Sequence, residues 1–401
     1  MLRRTFLGTV AAGLATPSIG RAADAMPGVT KDSIKIGQTM PYSGPASAYG
    51  VIGQTEGAYF KMLNAQGGIR GRKIDFLSAD DGYSPPRTVE ETRRLVESEG
   101  VAFMYQGLGT PTQSAVQRYL NQKKVPQLFV STGAEKWADP QHFPWTMGWQ
   151  PSYRTEARVY AKHLMQANPK AKLAVLYQND DFGKDYLTGL RDQFGDKYDA
   201  IVVSAVSYEV SDPTIDSQIL TLKGSGADAM LTAATPKFAA QAIKKIAEIG
   251  WKPVQHYLTN VSISASAVMR PAGAENGKGI FTGAYLKDQS DPQWANDPGM
   301  TQFRDWVKQW EPSADVADSN VVFGYGNVIS LHKMLEQCGD DLSRENIMKQ
   351  AANLHDIEIP VLLPTIKINT KPTDYHPISQ LQLASWTGSA WQLFGDVLSG
   401  A

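Results

Sequence analysis

Residues that could bind an anion follow the predicted strands in the first half of the chain. They are tyrosines, glycines and small hydroxyl residues, namely Tyr42, Ser43, Tyr49, Gly107, Gly109, Thr110, Ser131 and Thr132. Several of these loops open a predicted helix, where unpaired backbone N–H groups and the positive end of the helix dipole favour a carboxylate. Serine and threonine at such positions also serve as ordinary helix caps. The recurrence of such loops at one sheet edge favours the binding of a small anion.

The second half of the chain offers a matching set, which follows its own predicted strands and the predicted crossover between the halves. This set is Trp149, Gln150, Phe182, Thr235 and Asn260. Ligands of open parallel sheets lie beyond the carboxyl ends of the strands, so we expect the two sets to face one cleft. Aromatic side chains at a cleft mouth suit an amphipathic ligand. The alternative for Trp149 and its neighbours is that they pack the hinge.

Motifs for catalysis or for a cofactor are absent from the sequence. There is no HExxH, no GxSxG and no P-loop, and the six histidines show no metal-ligand spacing. The segment Gly107-Leu108-Gly109 lacks the third glycine of a dinucleotide-binding motif. The pair Asp80-Asp81 is better explained as the end of a strand that caps the next turn than as a metal site. We therefore expect a binding protein with no cofactor and no metal, and not an enzyme.

The composition limits the kinds of partner. The 401 residues are enough for two domains of ordinary size. Lys plus Arg is 39 and Asp plus Glu is 40, so the formal net charge is −1. A near-neutral chain without a basic run gives no support for nucleic-acid binding. The single cysteine, Cys338, cannot form an intramolecular disulfide and is expected to be a small buried side chain.

The first 25 residues have the pattern of a secretory signal peptide. The paired Arg3-Arg4 precedes a short apolar stretch over residues 6–19, and small residues over 20–25 offer cleavage points. The twin arginine favours the twin-arginine export route, although a general secretory signal has the same form. The apolar stretch is shorter than a membrane-spanning helix requires, and no later segment is long enough. We expect an exported protein of the periplasm whose mature chain does not insert into the membrane.

Predicted strands and helices alternate from residue 33 onward. Strands over 34–40, 73–79 and 101–105 are each followed by a helix, and a second series of the same kind begins near residue 153. This alternation predicts βαβ units and parallel sheets. The expected fold class is α/β, with two doubly wound parallel-sheet lobes joined by crossover strands, the first of them near residues 143–149. The last third is less regular and contains three predicted helices followed by short strand-like pieces.

Short motifs spread over the mature chain form a set that points to one family. They are Tyr42-Ser43-Gly44-Pro45-Ala46, Asn64-Ala65-Gln66-Gly67-Gly68-Ile69-Arg70-Gly71-Arg72, Asp80-Asp81, Phe182-Gly183 and Ala272-Gly273-Ala274-Glu275-Asn276-Gly277-Lys278-Gly279. The chain resembles the type I periplasmic solute-binding proteins of ABC importers, of the leucine/isoleucine/valine-binding kind. The resemblance implies a lobe 1 of residues 30–148 plus about 286–358 and a lobe 2 of residues 149–285 plus about 359–397. It also implies a small-molecule solute as ligand and an ABC permease in the inner membrane as partner.

The resemblance carries over to some of the site residues. The loops Gly107–Thr110 and Ser131-Thr132 match the family's carboxylate-binding positions, and Phe182 stands where the family places a cleft tyrosine. Amino-acid binders of the family hold the ligand's ammonium with an acidic residue in lobe 2. Here the equivalent loop, residues 257–262, has no acid, and no Asp or Glu occurs between Glu248 and Glu275. A buried ammonium would lack a charge partner, which is costly.

Two ligand classes therefore stay open at this point: a branched-chain or other amino acid, and an aliphatic or aromatic acid without an amine. The leading hypothesis is the receptor of an ABC importer that closes its lobes around the ligand. A ligand-sensing receptor for a membrane signalling protein would have the same fold. A secreted hydrolase would need a nucleophile with a base, or a metal, and the sequence offers neither.

Overall fold

The computed structural model describes residues 26–399, which form two β-sheets with helices on their faces. The strands are β1 Ser33–Met40, β2 Lys73–Asp80, β3 Phe103–Tyr105, β4 Gln127–Val130, β5 Thr146–Gly148, β6 Leu173–Gln178, β7 Val202–Tyr208, β8 Ala229–Ala233, β9 Gln255–Leu258, β10 Phe281–Ala284, β11 Gln380–Trp386 and β12 Trp391–Ser399. The α-helices are α1 Gly50–Ala65, α2 Pro85–Arg93, α3 Thr110–Gln122, α4 Tyr153–Ala167, α5 Asp181–Phe194, α6 Tyr198–Ile201, α7 Asp216–Gly224, α8 Pro236–Glu248, α9 Pro298–Trp310, α10 Ser319–Cys338 and α11 Arg344–Ala351. The predicted signal peptide lies outside the described residues.

The first sheet is a parallel sheet of five strands in the order β2-β1-β3-β4-β5. Its central strands β3 and β4 are buried along their whole length, as strands covered by helices on both faces must be. The order changes direction at β1, so the loops after β1 and β3 leave the sheet side by side. This is the kind of point at which doubly wound sheets bind ligands.

The second sheet has seven strands in the order β12-β11-β10-β9-β8-β6-β7. Strands β6 to β10 pair in parallel, as the alternating pattern predicts. Strand β11 pairs antiparallel with β10 on one side and with β12 on the other. The expectation of purely parallel sheets is therefore corrected at this edge, because a tight turn joins β11 to β12 without the helix that a parallel connection needs.

The last third of the chain contributes to both sheets. Helix α10 packs against α1, and α9 also contacts α1, so both belong with the first sheet. The chain then returns to the second sheet as β11 and β12. We call the five-stranded sheet with α1–α3 and α9–α11 lobe 1, and the seven-stranded sheet with α4–α8 lobe 2. The chain crosses between them after β5, after β10 and after α11, and the finer boundaries stay a prediction.

Helix boundaries follow local signals in the sequence. Ser152 caps α4 by accepting a hydrogen bond from the backbone N–H of Thr155, and Asp180 caps α5 in the same way through Gly183. Helix α2 is α-helical only as far as Arg93, and the chain continues from it as a π-helical turn over Arg94–Ser98. Among residues 26–399, no helix combines the length and the apolar character needed to cross a bilayer.

Candidate ligand-binding cleft

A cleft separates the carboxyl ends of the strands of the two sheets and holds about 1080 Å³ of empty space, part of it open to solvent. Its walls come from loops after strands in both lobes, from the crossovers and from the start of α10 and of β12. The apolar and aromatic part of the lining includes Tyr49, Ile52, Tyr83, Leu108, Tyr153, Phe182, Val261, Ile263, Tyr285, Val322, Phe323, Trp391 and Leu393. Such a lining with few polar groups is typical of a site for a small organic molecule.

The polar part of the lobe 1 wall consists of two loops that are tied together. The backbone N–H of Gly109 donates to the carbonyl of Ser131 at 3.3 Å, and the N–H of Ser131 donates to Gly107 at 2.9 Å. Helix α3 begins at Thr110, and its N-cap residue Gly109 has no side chain to satisfy the first N–H groups. The cleft therefore receives a helix N-terminus next to a serine hydroxyl, an arrangement that favours a carboxylate.

Gly109 can only be glycine in this conformation. Its backbone φ is +101°, a region that residues with a Cβ rarely adopt. A Cβ at this position would overlap Cε2 of Tyr83 and would lie 2.7 Å from Oγ1 of Thr112. The glycine thus allows the aromatic ring of Tyr83 to pack directly on the backbone that opens α3.

Aromatic rings form the wall next to these loops. Tyr153, the first residue of α4, packs on Phe182 with ring centroids 4.7 Å apart and stacks on Tyr186 at 5.4 Å. Burial raises the pKa of the Tyr83 and Tyr153 phenols, so both stay neutral at neutral pH and can donate a hydrogen bond. Phe182 keeps the aromatic wall without a hydroxyl.

The lobe 2 wall is polar at Asn260 and Thr235. The amide of Asn260 is buried and is held from behind by Glu156: its backbone N–H donates to Oε1 at 2.8 Å and its Nδ2 donates to Oε2 at 2.5 Å. The hydroxyl of Thr235 lies 3.2 Å from the hydroxyl of Tyr208. No acidic side chain replaces the family's ammonium partner in this loop, as the sequence indicates.

Two charged residues line the cleft, and both are already engaged with the protein. The ammonium of Lys287 lies 2.8 Å from Oδ1 of Asp297 and 2.8 Å from the carbonyl of Pro360. The carboxylate of Asp288 accepts the backbone N–H of Ser290 at 2.8 Å and that of Trp391 at 2.6 Å. Neither charge is left free to serve as the main partner of a charged ligand.

Eight of the thirteen residues predicted from the sequence line this cleft. They are Tyr49, Gly109, Thr110, Ser131, Gln150, Phe182, Thr235 and Asn260. Four come from lobe 1, three from lobe 2 and Gln150 from the crossover between them. The structure brings these residues around one space, and their contact with a ligand stays a prediction.

The other five predicted residues lie outside the lining, each for a local reason. The hydroxyl of Tyr42 turns to Ser78, and Ser43 is exposed and bonded to Asp80. Gly107 is covered by the amide of Gln113, and Thr132 stands behind Thr110, with their hydroxyl oxygens 2.5 Å apart. Trp149 is buried in the hinge, where its indole N–H donates to Ser330 at 3.0 Å.

Several lining residues are absent from the predicted set. Tyr83 follows β2, directly after the Asp80-Asp81 pair. Tyr153 lies just after the crossover, among the residues expected either to line the cleft or to pack the hinge. Tyr285, Phe323 and Trp391 come from the irregular last third. No local motif marks these three, because they reach the cleft only through the second and third crossovers.

The two lobes are in direct contact with each other. The phenol of Tyr49 donates to the carbonyl of Val261 at 3.0 Å, and the backbone N–H of Glu135 donates to Asp185 at 2.8 Å. Farther out, Arg270 pairs with Asp315 at 3.0 Å. The structure is therefore a closed arrangement of the lobes.

The comparisons with known proteins agree on one family. The family model described as "Periplasmic binding protein" matches residues 33–390. The Leu/Ile/Val-binding protein homolog 7 of Brucella abortus (strain 2308) is 23% identical over 345 residues, which cover 81% of this chain and 82% of the relative.

Solved structures share the fold at lower identity. A branched-chain amino acid ABC transporter protein from Thermus thermophilus with bound valine superposes with a TM-score of 0.82 at 12% identity, covering 92% of this chain and 97% of that one. A solute-binding protein from R. palustris in complex with 4-hydroxybenzoate superposes with a TM-score of 0.74 at 19% identity, covering 92% of this chain and 97% of that one. The resemblance stated from the motifs is thus confirmed, as is the expectation of a binding protein and not an enzyme. The chain belongs to the periplasmic binding protein family.

Proposed function

We propose that this protein is the periplasmic substrate-binding component of an ABC uptake transporter, and that it captures a small organic acid by closing its lobes. The observation that carries the proposal is the cleft between the lobes, in which a helix N-terminus and Ser131 oppose an apolar, aromatic space. The ligand's carboxylate would lie against Gly109, Thr110 and Ser131. Its apolar body would lie among the rings of Tyr153, Phe182 and Trp391.

The charges of the cleft favour an acid without an ammonium group. The loop of residues 257–262 contains no acid, and the carboxylate of Asp288 already accepts two backbone N–H groups. A buried ammonium would then have only dipoles as partners, whereas a carboxylate needs only N–H and O–H donors. The ligands bound by two structural relatives, valine and 4-hydroxybenzoate, represent an amino acid and an acid without an amine.

A titration of the purified mature protein tests the proposal. The panel is valine, leucine, isovalerate, octanoate, benzoate and 4-hydroxybenzoate, read by tryptophan fluorescence and calorimetry because Trp391 lines the cleft. We expect saturable one-to-one binding of at least one amine-free acid, and weaker binding of valine and leucine. Tight binding of the amino acids alone would contradict the ligand class, and no binding of any acid would contradict the receptor function.

Two matched serine variants locate the carboxylate. Ser131→Ala removes a hydroxyl from the cleft wall, and we expect affinity for the best acid to fall about tenfold, as for a hydrogen bond to a charged group. Ser43→Ala removes a hydroxyl from an exposed loop and should leave affinity within about twofold. Equal effects of the two substitutions on the dissociation constant would exclude Ser131 as the anion-binding group.

Delivery to a permease needs a separate measurement. Deletion of the gene should abolish uptake of the radiolabelled acid identified above, and the wild-type gene should restore it. Unchanged uptake together with altered signalling would favour the receptor of a membrane signalling protein.

A further inference from the structure

A buried carboxyl group lies directly behind the lobe 2 wall of the cleft. Glu156 occupies the first turn of α4, and its side chain is fully buried. The phenol of Tyr160 donates a hydrogen bond to it, and burial raises the pKa of Glu156 to about 7. Glu156 does not itself line the cleft, so its influence on a ligand must pass through a neighbour.

That neighbour is Asn260, whose two N–H donors both point at the acid. The backbone N–H reaches Oε1 at 2.8 Å, and the side-chain Nδ2 reaches Oε2 at 2.5 Å. An ionised carboxylate can only accept hydrogen bonds, so both N–H donors of Asn260 turn to Glu156 and the amide has one favourable orientation, whereas a protonated carboxyl could donate to the amide oxygen instead. The binding experiments are therefore made at about pH 8.5, where the carboxyl of Glu156 is ionised.

This orientation leaves the side-chain oxygen of Asn260 without a partner. With Nδ2 committed to Glu156, Oδ1 takes the opposite position; it is buried and accepts no hydrogen bond from residues 26–399. Asn260 lines the cleft, so the ligand is the group that can reach this acceptor. A buried acceptor left empty is unfavourable, and a ligand that fills it with a donor gains affinity over one that cannot.

We propose that Glu156 is a positioning residue that presents Oδ1 of Asn260 to the ligand, and that the ligand is a small acid carrying a hydroxyl group that donates to this oxygen. The inference rests on the proposed function and narrows its ligand class. The acceptor is uncharged and Glu156 has both oxygens engaged by Asn260, so a neutral hydroxyl fits the position better than an ammonium.

The test uses acids that share one skeleton and differ at one group. One set is isovalerate, 2-hydroxyisovalerate, 2-oxoisovalerate and valine; the other is benzoate, 4-hydroxybenzoate and 4-formylbenzoate. In at least one set, calorimetry of the wild-type protein should give a hydroxy acid bound about tenfold or more tighter than its parent acid. It should also bind tighter than the oxo, formyl or amino analogue.

Glu156→Gln replaces one acceptor oxygen by an NH₂ donor, so the amide of Asn260 should turn and offer Nδ2 to the cleft. We expect the ratio of the affinity for the hydroxy acid to that for its parent acid to fall to about one. The oxo or formyl analogue should then bind most tightly in its set. Asn260→Ala should also bring the ratio to about one, without a carbonyl preference. The matched control is Glu311→Gln, which neutralises another buried carboxyl away from the cleft and should keep the wild-type ratio.

The preference ratio, and not affinity itself, decides the outcome, because a merely structural loss lowers all members of a set alike. A wild-type protein that binds the acids without preferring the hydroxyl would overturn the inference and leave the proposed function standing. So would an unchanged ratio in Glu156→Gln. If that variant does not fold by circular dichroism, an unchanged ratio in Asn260→Ala has the same force. A wild-type protein that binds no acid overturns the proposed function first.

Discussion

At the scale of single residues, Gly109 shows how closely the anion-binding wall depends on backbone conformation. Its positive φ directs the chain from β3 into α3, and its missing side chain lets Tyr83 pack on the turn. The same residue thus supplies the free helix N-terminus and the contact between two wall loops. A substitution here should damage folding and binding together.

Gly109→Ala should lower the free energy of unfolding by about 3 kcal/mol, since backbone strain adds to an overlap with the Tyr83 ring. Binding of the best acid should weaken as well, because the turn must shift. The control is Gly71→Ala, at an exposed glycine whose φ is +82° and whose Cβ would meet no atom within 4 Å. It should cost about 1 kcal/mol from strain alone and leave binding intact. Chemical denaturation measures the free energy of unfolding of the two variants, and calorimetry measures their ligand binding. An equal loss of unfolding free energy in both variants would show that the contact with Tyr83 is unimportant.

At the scale of elements, helix α9 meets α1 through a buried carboxyl. Glu311 follows α9 directly and is 8% exposed, and burial raises its pKa to about 7. A folded protein with such a group binds more protons near pH 7 than the unfolded chain does. The free energy of unfolding must therefore fall as pH rises through 7.

We expect the wild-type protein to lose stability between about pH 6.5 and about pH 8, with Glu311 and Glu156 each contributing about 1 kcal/mol. His256, whose pKa is lowered by burial to about 3, is neutral in the folded protein but about half protonated near pH 6.5 in the unfolded chain, so it opposes the trend at the lower end of this range and not above about pH 7.5. Glu311→Gln should remove about half of the slope. Urea denaturation at several pH values measures it. A slope that stays the same in the variant would show that Glu311 is ionised in the folded protein.

At the scale of the whole molecule, closure depends on a few contacts between the lobes. The hydrogen bond from Tyr49 to Val261 lies at the cleft itself, whereas the pair Arg270–Asp315 lies at the rim, with side chains 58% and 43% exposed. Exposed ion pairs contribute little because water and salt screen them. The buried contact should therefore matter more to the closed state.

Tyr49→Phe should weaken binding of the best acid about fivefold, the value of one neutral hydrogen bond. Arg270→Ala should change it by about twofold or less at physiological salt, and more only at low salt. Small-angle scattering with and without ligand reports closure in both variants. A larger loss for Arg270→Ala than for Tyr49→Phe would place the main closing contact at the rim.

The sequence predicts most of the helices and strands whose ends are set by neighbouring residues. Strand–helix alternation predicts nearly all elements up to residue 249, and the loops after strands together with the first crossover yield eight cleft residues. The position of a residue after a strand does not reveal which way its side chain turns. The sequence therefore predicts Ser43 as a ligand-binding residue, whereas its hydroxyl donates to Asp80 at the surface. Residues such as Phe323 and Trp391 reach the cleft through crossovers, and only the folded chain shows that. The antiparallel β11–β12 pair escaped prediction for the same reason.

One consequence follows from the place of Trp391 in the cleft. It begins the last strand of the second sheet, while Tyr49, on the opposite wall, precedes the first long helix. Contacts between segments so far apart in a polypeptide form late, after the loops between them have closed. A chain that is still searching for its native topology therefore lacks one wall of the cleft. Only a completely folded molecule can enclose a ligand between Tyr49 and Trp391.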